Sequence, residues 1–93
     1  MATDQIISQI KPILLKYGVT KSDLFGSYAR GDFNDQSDVD ILISPPDDMS
    51  LFGLVKLQSE LIEILGKDVD VVSYDSVNKY IKKYVYQSIQ LIL

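Results

Sequence analysis

The chain has 93 residues, a hydrophobic share of 46% and a formal net charge of -4 at pH 7. That length suits one hydrophobic core, so we expect a single domain over residues 1–93. The sequence contains no cysteine or histidine, which excludes disulfide scaffolds, zinc fingers, thiol nucleophiles and histidine acid–base chemistry. The acidic charge argues against direct binding of nucleic acid. Because polar residues interrupt every apolar stretch, we expect no signal peptide or membrane span, and a cytoplasmic location.

The first third of the chain predicts a helix, a strand and a tight turn. Apolar residues recur at helical spacing over residues 4–17, and Gly18 is a natural helix stop. Pro12 lies within this helix, so we expect a kink or a restart near Lys11. Leu24 and Phe25 predict a short strand that leads into a glycine-flanked turn at residues 26–31.

The remaining elements alternate between strands and helices. After an acidic loop, a β-branched strand runs over residues 39–43, and a helix capped by Ser50 ends at Gly66. A third strand is predicted over residues 69–73. A final helix is predicted from about Ser76, with one apolar stripe formed by Val77, Tyr80, Ile81, Tyr84, Val85, Ile89 and Ile92. This order predicts an α/β or α+β fold, with a small mixed sheet flanked by helices.

Two aspartates at the start of the second strand are the main candidates for chemistry. Asp38 and Asp40 are two residues apart, so both side chains leave the same face of a strand, with Cα atoms about 6.5–7 Å apart. A divalent cation would relieve their mutual repulsion, and oxygen-only ligands favour Mg²⁺ or Mn²⁺. Alternatively, Asp38 is only a turn residue and Asp40 a solvated position on an edge strand.

Two further positions complete the candidate site. Gly26 and Ser27 lie where a strand gives way to a short helix, a place suited to a phosphate group, although Gly26 could simply serve the turn. A third acidic residue lies on the third predicted strand. Asp68 and Asp70 share one face of that strand by alternation, so geometry along the sequence leaves both open.

Three ordered segments together resemble the DNA polymerase β-like nucleotidyltransferase superfamily, and more narrowly its minimal nucleotidyltransferases. They are GSYARG at residues 26–31, SDVDILI at residues 37–43 and VDVV at residues 69–72. The resemblance implies the polymerase β-like fold, with Asp38, Asp40 and Asp70 as catalytic and metal-binding residues; it is this match that selects Asp70 over Asp68. It also implies two Mg²⁺ ions, ATP as substrate, and a nucleotide cradle formed by Gly26 and Ser27.

The resemblance further implies the transfer of AMP to a hydroxyl acceptor. Arg30 could offset phosphate charge, or it could form a salt bridge with Asp32. Larger relatives carry a further helical domain for the acceptor, which we expect to be missing here. The apolar residues 89–93 at the end of the final helix would need a partner to cover them.

Minimal members of this family resemble one half of a toxin–antitoxin pair, in which the partner is an all-helical HEPN protein that often acts as a toxin ribonuclease. The resemblance therefore implies an antitoxin that transfers AMP to a tyrosine of a HEPN toxin. Two alternatives stay open at this point. The chain could neutralise its partner by binding alone, without catalysis, or it could transfer a nucleotide to a small molecule.

Overall fold

The computed structural model describes residues 2–93, with the side chain of Ile81 left out. The helices are α1 (Thr3–Lys16), α2 (Ser27–Arg30), α3 (Leu51–Leu65) and α4 (Lys79–Tyr86), and a short 3₁₀ turn covers Tyr74–Ser76. The strands are β1 (Lys21–Phe25), β2 (Val39–Ser44), β3 (Val69–Ser73) and β4 (Gln90–Leu91). The predicted elements before residue 74 are therefore confirmed, and α1 passes Pro12 as one helix without restarting.

The four strands form one mixed sheet in the order β3-β2-β1-β4. Strand β1 is antiparallel to both of its neighbours, whereas β2 and β3 are parallel and are joined through α3. This arrangement confirms the predicted α+β fold with a small mixed sheet and helices. It also places the first residues of β2 and β3 side by side, because parallel strands start at the same edge of a sheet.

One face of the sheet carries the hydrophobic core. Alternate residues Leu24, Ile41 and Val69 point to this face, where they are buried against α1 and α3. Each of the two helices contributes three buried residues at helical spacing: Ile6, Ile10 and Leu14 from α1, and Leu57, Leu61 and Leu65 from α3. Core packing therefore fixes which residues of β2 and β3 face away from α1 and α3.

The opposite face of the sheet is more polar and contains a buried carboxylate. Asp23 is only 5% exposed, and it accepts a hydrogen bond of 2.5 Å from the Tyr74 hydroxyl. The ammonium group of Lys21 lies 5.0 Å from the centre of the Tyr74 ring. Burial and the bond to Asp23 raise the pKa of Tyr74. This contact ties the segment after β3 to β1, and α4 follows directly.

The prediction for the C-terminal segment is wrong. Instead of continuing to the end of the chain, α4 stops at Tyr86, and the chain returns as β4 along the outer edge of β1. Ile92 donates a backbone hydrogen bond of 2.9 Å to Ser22 and is 3% exposed within the core. A strand at the end of the chain pairs the backbone groups at the open edge of β1, and it also buries Ile92. Both effects favour a strand over a longer helix, since an exposed edge leaves backbone groups unpaired.

Two consequences follow for the predicted apolar stripe. Ile92 joins the core without a partner protein, so the expectation that a partner must cover the whole end of the chain is corrected, although Leu91 stays 69% exposed. Tyr80 and Tyr84, two members of that stripe, are 83% and 68% exposed. Ile81, another member of that stripe, lies outside the described side chains.

Candidate active site

A glycine turn joins β1 to α2 and brings the backbone against a carboxylate. Gly26 has φ 73° and ψ −152°, a combination that is essentially restricted to glycine. A methyl group at this position would overlap the carboxylate of Asp40. Glycine is therefore needed here twice, once for its backbone angles and once for the close approach. Ser27 follows as the first residue of α2 and lines the same cavity as Gly26 and Asp40.

Asp40 and Asp70 are direct neighbours on the parallel strands β2 and β3. They form a register pair, so both leave the polar face of the sheet, where the charge of Asp70 acts on Asp40. Burial, followed by the nearby charges of Asp70 and Asp38, raises the pKa of Asp40 from 3.8 to about 6. The charged form of Asp40 is therefore destabilised in the folded protein, and a bound cation would stabilise it.

The structure distinguishes Asp70 from Asp68. Asp70 lines the cavity that contains Gly26, Ser27 and Asp40, whereas Asp68 lines a different depression together with Asp38. The carbonyl group of Asp68 accepts a backbone hydrogen bond of 3.0 Å from Val39. The parallel register of β2 and β3 therefore places Asp70, and not Asp68, beside Asp40.

Asp38 lies outside the cavity that contains Asp40 and Asp70, although the prediction grouped the three carboxylates in one metal site. It is exposed just before β2 and lines the other depression with Asp68, yet its charge reaches Asp40. Within residues 2–93, no group of three carboxylate, histidine or cysteine side chains is arranged to hold a metal ion. Asp40 and Asp70 fit a hard divalent cation by their donor chemistry, and a rotation of the Asp38 side chain would have to add the third ligand. The metal-binding roles of all three residues stay predictions.

Arg30 lies at the rim of the same cavity and forms the salt bridge that was one of its two predicted roles. Its Nε donates a hydrogen bond of 3.2 Å to Asp32, and this bond raises the pKa of the guanidinium group. The charge of Asp40 also raises the pKa of Arg30, which shares the cavity with Asp40 and Tyr84. An exposed salt bridge of this kind is weak, which leaves Arg30 able to turn towards an anionic ligand.

One wall of the cavity was not predicted from the sequence. Phe25 closes one side, and Tyr84, Val85 and Ser88 from the end of α4 and the following turn close another. The sequence predicts Tyr84 only as one member of an apolar stripe, and that pattern does not indicate a place at the cavity. The sequence did offer one signal. Lys79, Lys82 and Lys83 lie close to Tyr84 on the same helix, and a helix with this many lysines is rarely buried on most of its sides.

Comparisons with known proteins agree with this geometry. Residues 7–92 match the family described as nucleotidyltransferase domain. The chain belongs to this nucleotidyltransferase family. It is 46% identical over 82 residues to a protein of Methanocaldococcus jannaschii whose name describes a protein adenylyltransferase, and the alignment covers 88% of each chain. As a member of the family, the chain is an enzyme of the nucleotidyltransferase class.

Two solved structures of toxin–antitoxin complexes share the fold. One, a toxin–antitoxin with AMP-PNP, superposes with a TM-score of 0.80 at 25% identity, covering 94% of this chain and 72% of the other. The second is a tri-AMPylated HEPN toxin of Shewanella oneidensis in complex with its MNT antitoxin. It gives a TM-score of 0.75 at 22% identity and covers 98% of this chain and 71% of the other, a likeness of fold alone. In residues 2–93, no helix combines the length and the apolar character needed to cross a membrane.

The raised pKa of Asp40 predicts a pH-dependent response to divalent cations. We expect Mg²⁺ to raise the melting temperature of the wild-type protein near pH 7.5, which is above the pKa of Asp40. Near pH 4.5 a proton occupies Asp40, whose pKa is about 6, so the same Mg²⁺ concentration should have little effect. Thermal unfolding followed by circular dichroism, with and without Mg²⁺, measures this difference. An equal response at both pH values would contradict it.

Proposed function

We propose that this chain transfers AMP from ATP to a tyrosine hydroxyl of a helical HEPN toxin, and that it acts in this way as a cytoplasmic antitoxin in a complex with that toxin. The observation that carries the proposal is the pairing of Asp40 with Asp70 in one cavity beside the turn at Gly26 and Ser27. Support comes from the relative named for protein adenylyl transfer and from the complex that contains an AMPylated HEPN toxin.

Each residue of the proposed site has a distinct task. The backbone of the turn at Gly26 would bind the distal phosphates of ATP, and Ser27 offers its hydroxyl to them. Asp38, Asp40 and Asp70 would hold two Mg²⁺ ions, which neutralise the triphosphate and stabilise the attacking and leaving oxygens when bound. Arg30 compensates phosphate charge at the rim.

The proposed reaction is an in-line displacement at the α-phosphorus of ATP. The acceptor oxygen forms the new bond to phosphorus, the bond to the β-phosphate oxygen breaks, and pyrophosphate leaves. Asp70 is the more exposed residue of the carboxylate pair, so we assign to it the removal of the proton from the acceptor hydroxyl. No oxidant or reductant is required, and the whole chain acts as one nucleotidyltransferase domain.

The direct test mixes the purified chain with the helical protein encoded beside it, ATP and Mg²⁺, and weighs the partner by mass spectrometry. We expect the partner to gain the mass of one or more AMP groups. Asp70→Asn should abolish this gain, whereas Asp68→Asn is the matched control and should retain it, because Asp68 lies outside the cavity.

Two outcomes would overturn the proposal. If the partner gains no mass with the wild-type chain but is still neutralised by an Asp38/Asp40 double alanine variant, the chain acts by binding alone. If pyrophosphate is released with a small-molecule acceptor and never with the partner, the acceptor class is wrong. Equal activity of Asp70→Asn and Asp68→Asn would instead contradict the assignment of Asp70.

A further inference from the structure

The cavity beside the carboxylates has two chemically different sides. Its volume is about 350 Å³, and its polar side is formed by the turn at Gly26 and by the pair of Asp40 and Asp70. The other side is formed mainly by Tyr84 and Val85 of α4. Phosphate and metal chemistry uses only the polar side, so the role of the aromatic side remains to be explained.

Tyr84 has a large aromatic ring that the hydrophobic core does not use. It is 68% exposed and is absent from the cluster of packed core residues, unlike Tyr28, which is buried. Tyr80, one helical turn earlier, is 83% exposed and does not line the cavity. The two tyrosines therefore share a helix and a similar exposure, and they differ in their position relative to the carboxylates.

Contacts on both sides of α4 fix the aromatic wall relative to the sheet. Before the helix, the hydroxyl of Tyr74 is bonded to the buried Asp23 of β1. After the helix, Ile92 is buried in the core and residues 90–91 pair with β1. The ring of Tyr74 also packs against that of Tyr86, with centroids 6.4 Å apart. Tyr84 therefore lies on a helix whose flanking segments are both held against β1.

We propose that Tyr84 is the stacking platform for the base of the bound nucleotide. This inference rests on the proposed use of a nucleoside triphosphate at the same site. With the triphosphate at the polar side, the base has to lie towards the rim, and an exposed tyrosine ring there offers it a flat apolar surface. Stacking of this kind tolerates every base, because all bases have a π-face. Tyr84 therefore contributes affinity for the nucleoside without selecting adenine over guanine.

The test compares ligands with and without a base in equilibrium binding measurements at a fixed Mg²⁺ concentration. For Tyr84→Ala we expect the Kd of ATP and the Kd of GTP to rise by similar factors, about tenfold, given the usual worth of base stacking on an aromatic side chain. The Kd of inorganic tripolyphosphate should not change. Tyr84→Phe keeps the ring and should bind like the wild type, and Tyr80→Ala is the matched control on the same helix.

Several results would overturn this inference. If Tyr84→Ala binds ATP as tightly as the wild type but transfers less AMP to a protein, Tyr84 contacts the acceptor instead. If the affinity for tripolyphosphate falls as much as that for ATP, Tyr84 supports the phosphate side. If the chain gains AMP and Tyr84→Phe abolishes that gain, Tyr84 is itself the acceptor. A wild-type chain that binds no ATP would overturn the proposed function as well, whereas the first three results leave it intact.

Discussion

Replacing Asp40 with asparagine should abolish nucleotide transfer and at the same time make the metal-free protein more stable. Asp40 is the half-buried member of the carboxylate pair and faces Asp70 across the parallel strands. Metal-assisted stabilisation of a phosphoryl transition state is worth several kcal/mol, so loss of this ligand should lower kcat/KM by about 10³-fold or more. Asparagine keeps the size of the side chain, which separates the loss of charge from a loss of packing.

The gain in stability follows from the direction of the Asp40 pKa shift. The folded protein has an Asp40 pKa of about 6, above the ordinary value of 3.8, so the folded state binds the proton more tightly than the unfolded state. The contribution of Asp40 to stability is therefore fully present below about pH 4 and is lost as the pH rises through about 6. Above that range, Asp40→Asn should be more stable by about 1–2 kcal/mol after allowance for solvent screening.

Urea unfolding without divalent cations measures this second effect. We expect Asp40→Asn to exceed the wild type in free energy of unfolding near pH 7.5, and to match it near pH 4.5, where the wild-type carboxyl group is already neutral. Asp68→Asn, an exposed aspartate nearby, serves as the control and should show no such difference. A variant that loses stability at pH 7.5 would show that the charge of Asp40 is compensated in the folded protein.

Local sequence signals were sufficient for the elements that build the site. The β-branched run of β2, the Ser50 cap and the Gly66 stop each act within a few residues, and the structure contains the corresponding strand and helix. The Ser50 hydroxyl accepts a hydrogen bond of 3.1 Å from the backbone of Gly53, as a capping residue does. Gly26, Ser27, Asp40 and Asp70 were named from these local signals together with the family resemblance.

The parts that could not be predicted depend on contacts between distant segments. Whether Asp68 or Asp70 meets Asp40 depends on the register between β2 and β3, which α3 separates along the chain. The apolar residues near the end of the chain recur at helical spacing. In the structure, however, this end pairs with β1 as a strand, with Leu91 opposite Asp23, a residue about 70 positions earlier. The same change leaves Tyr84 near the end of a short α4, at the cavity and outside the core.

Replacing Gly26 with alanine should disable the site through geometry alone, without removing any charge. The alanine methyl group would overlap a carboxylate oxygen of Asp40, so that the Asp40 side chain must shift from its present position. The backbone angles of Gly26 would also be strained with any other residue, at a cost of about 1–3 kcal/mol in the free energy of unfolding. We expect activity to fall by about 10²-fold or more, because small displacements of catalytic groups have effects of this size.

The matched control is Gly66→Ala at the end of α3. Gly66 also has a positive φ, of 66°, so alanine is strained there too, but no atom lies within 4 Å of the position that its methyl group would take. Both variants should therefore unfold at lower urea concentrations than the wild type, while only Gly26→Ala should lose transfer activity and the Mg²⁺-dependent rise in melting temperature. If the two variants lost activity in proportion to their loss of stability, the contact between Gly26 and Asp40 would have no separate part in catalysis. Retention of activity in Gly26→Ala would place the reacting phosphates away from this turn.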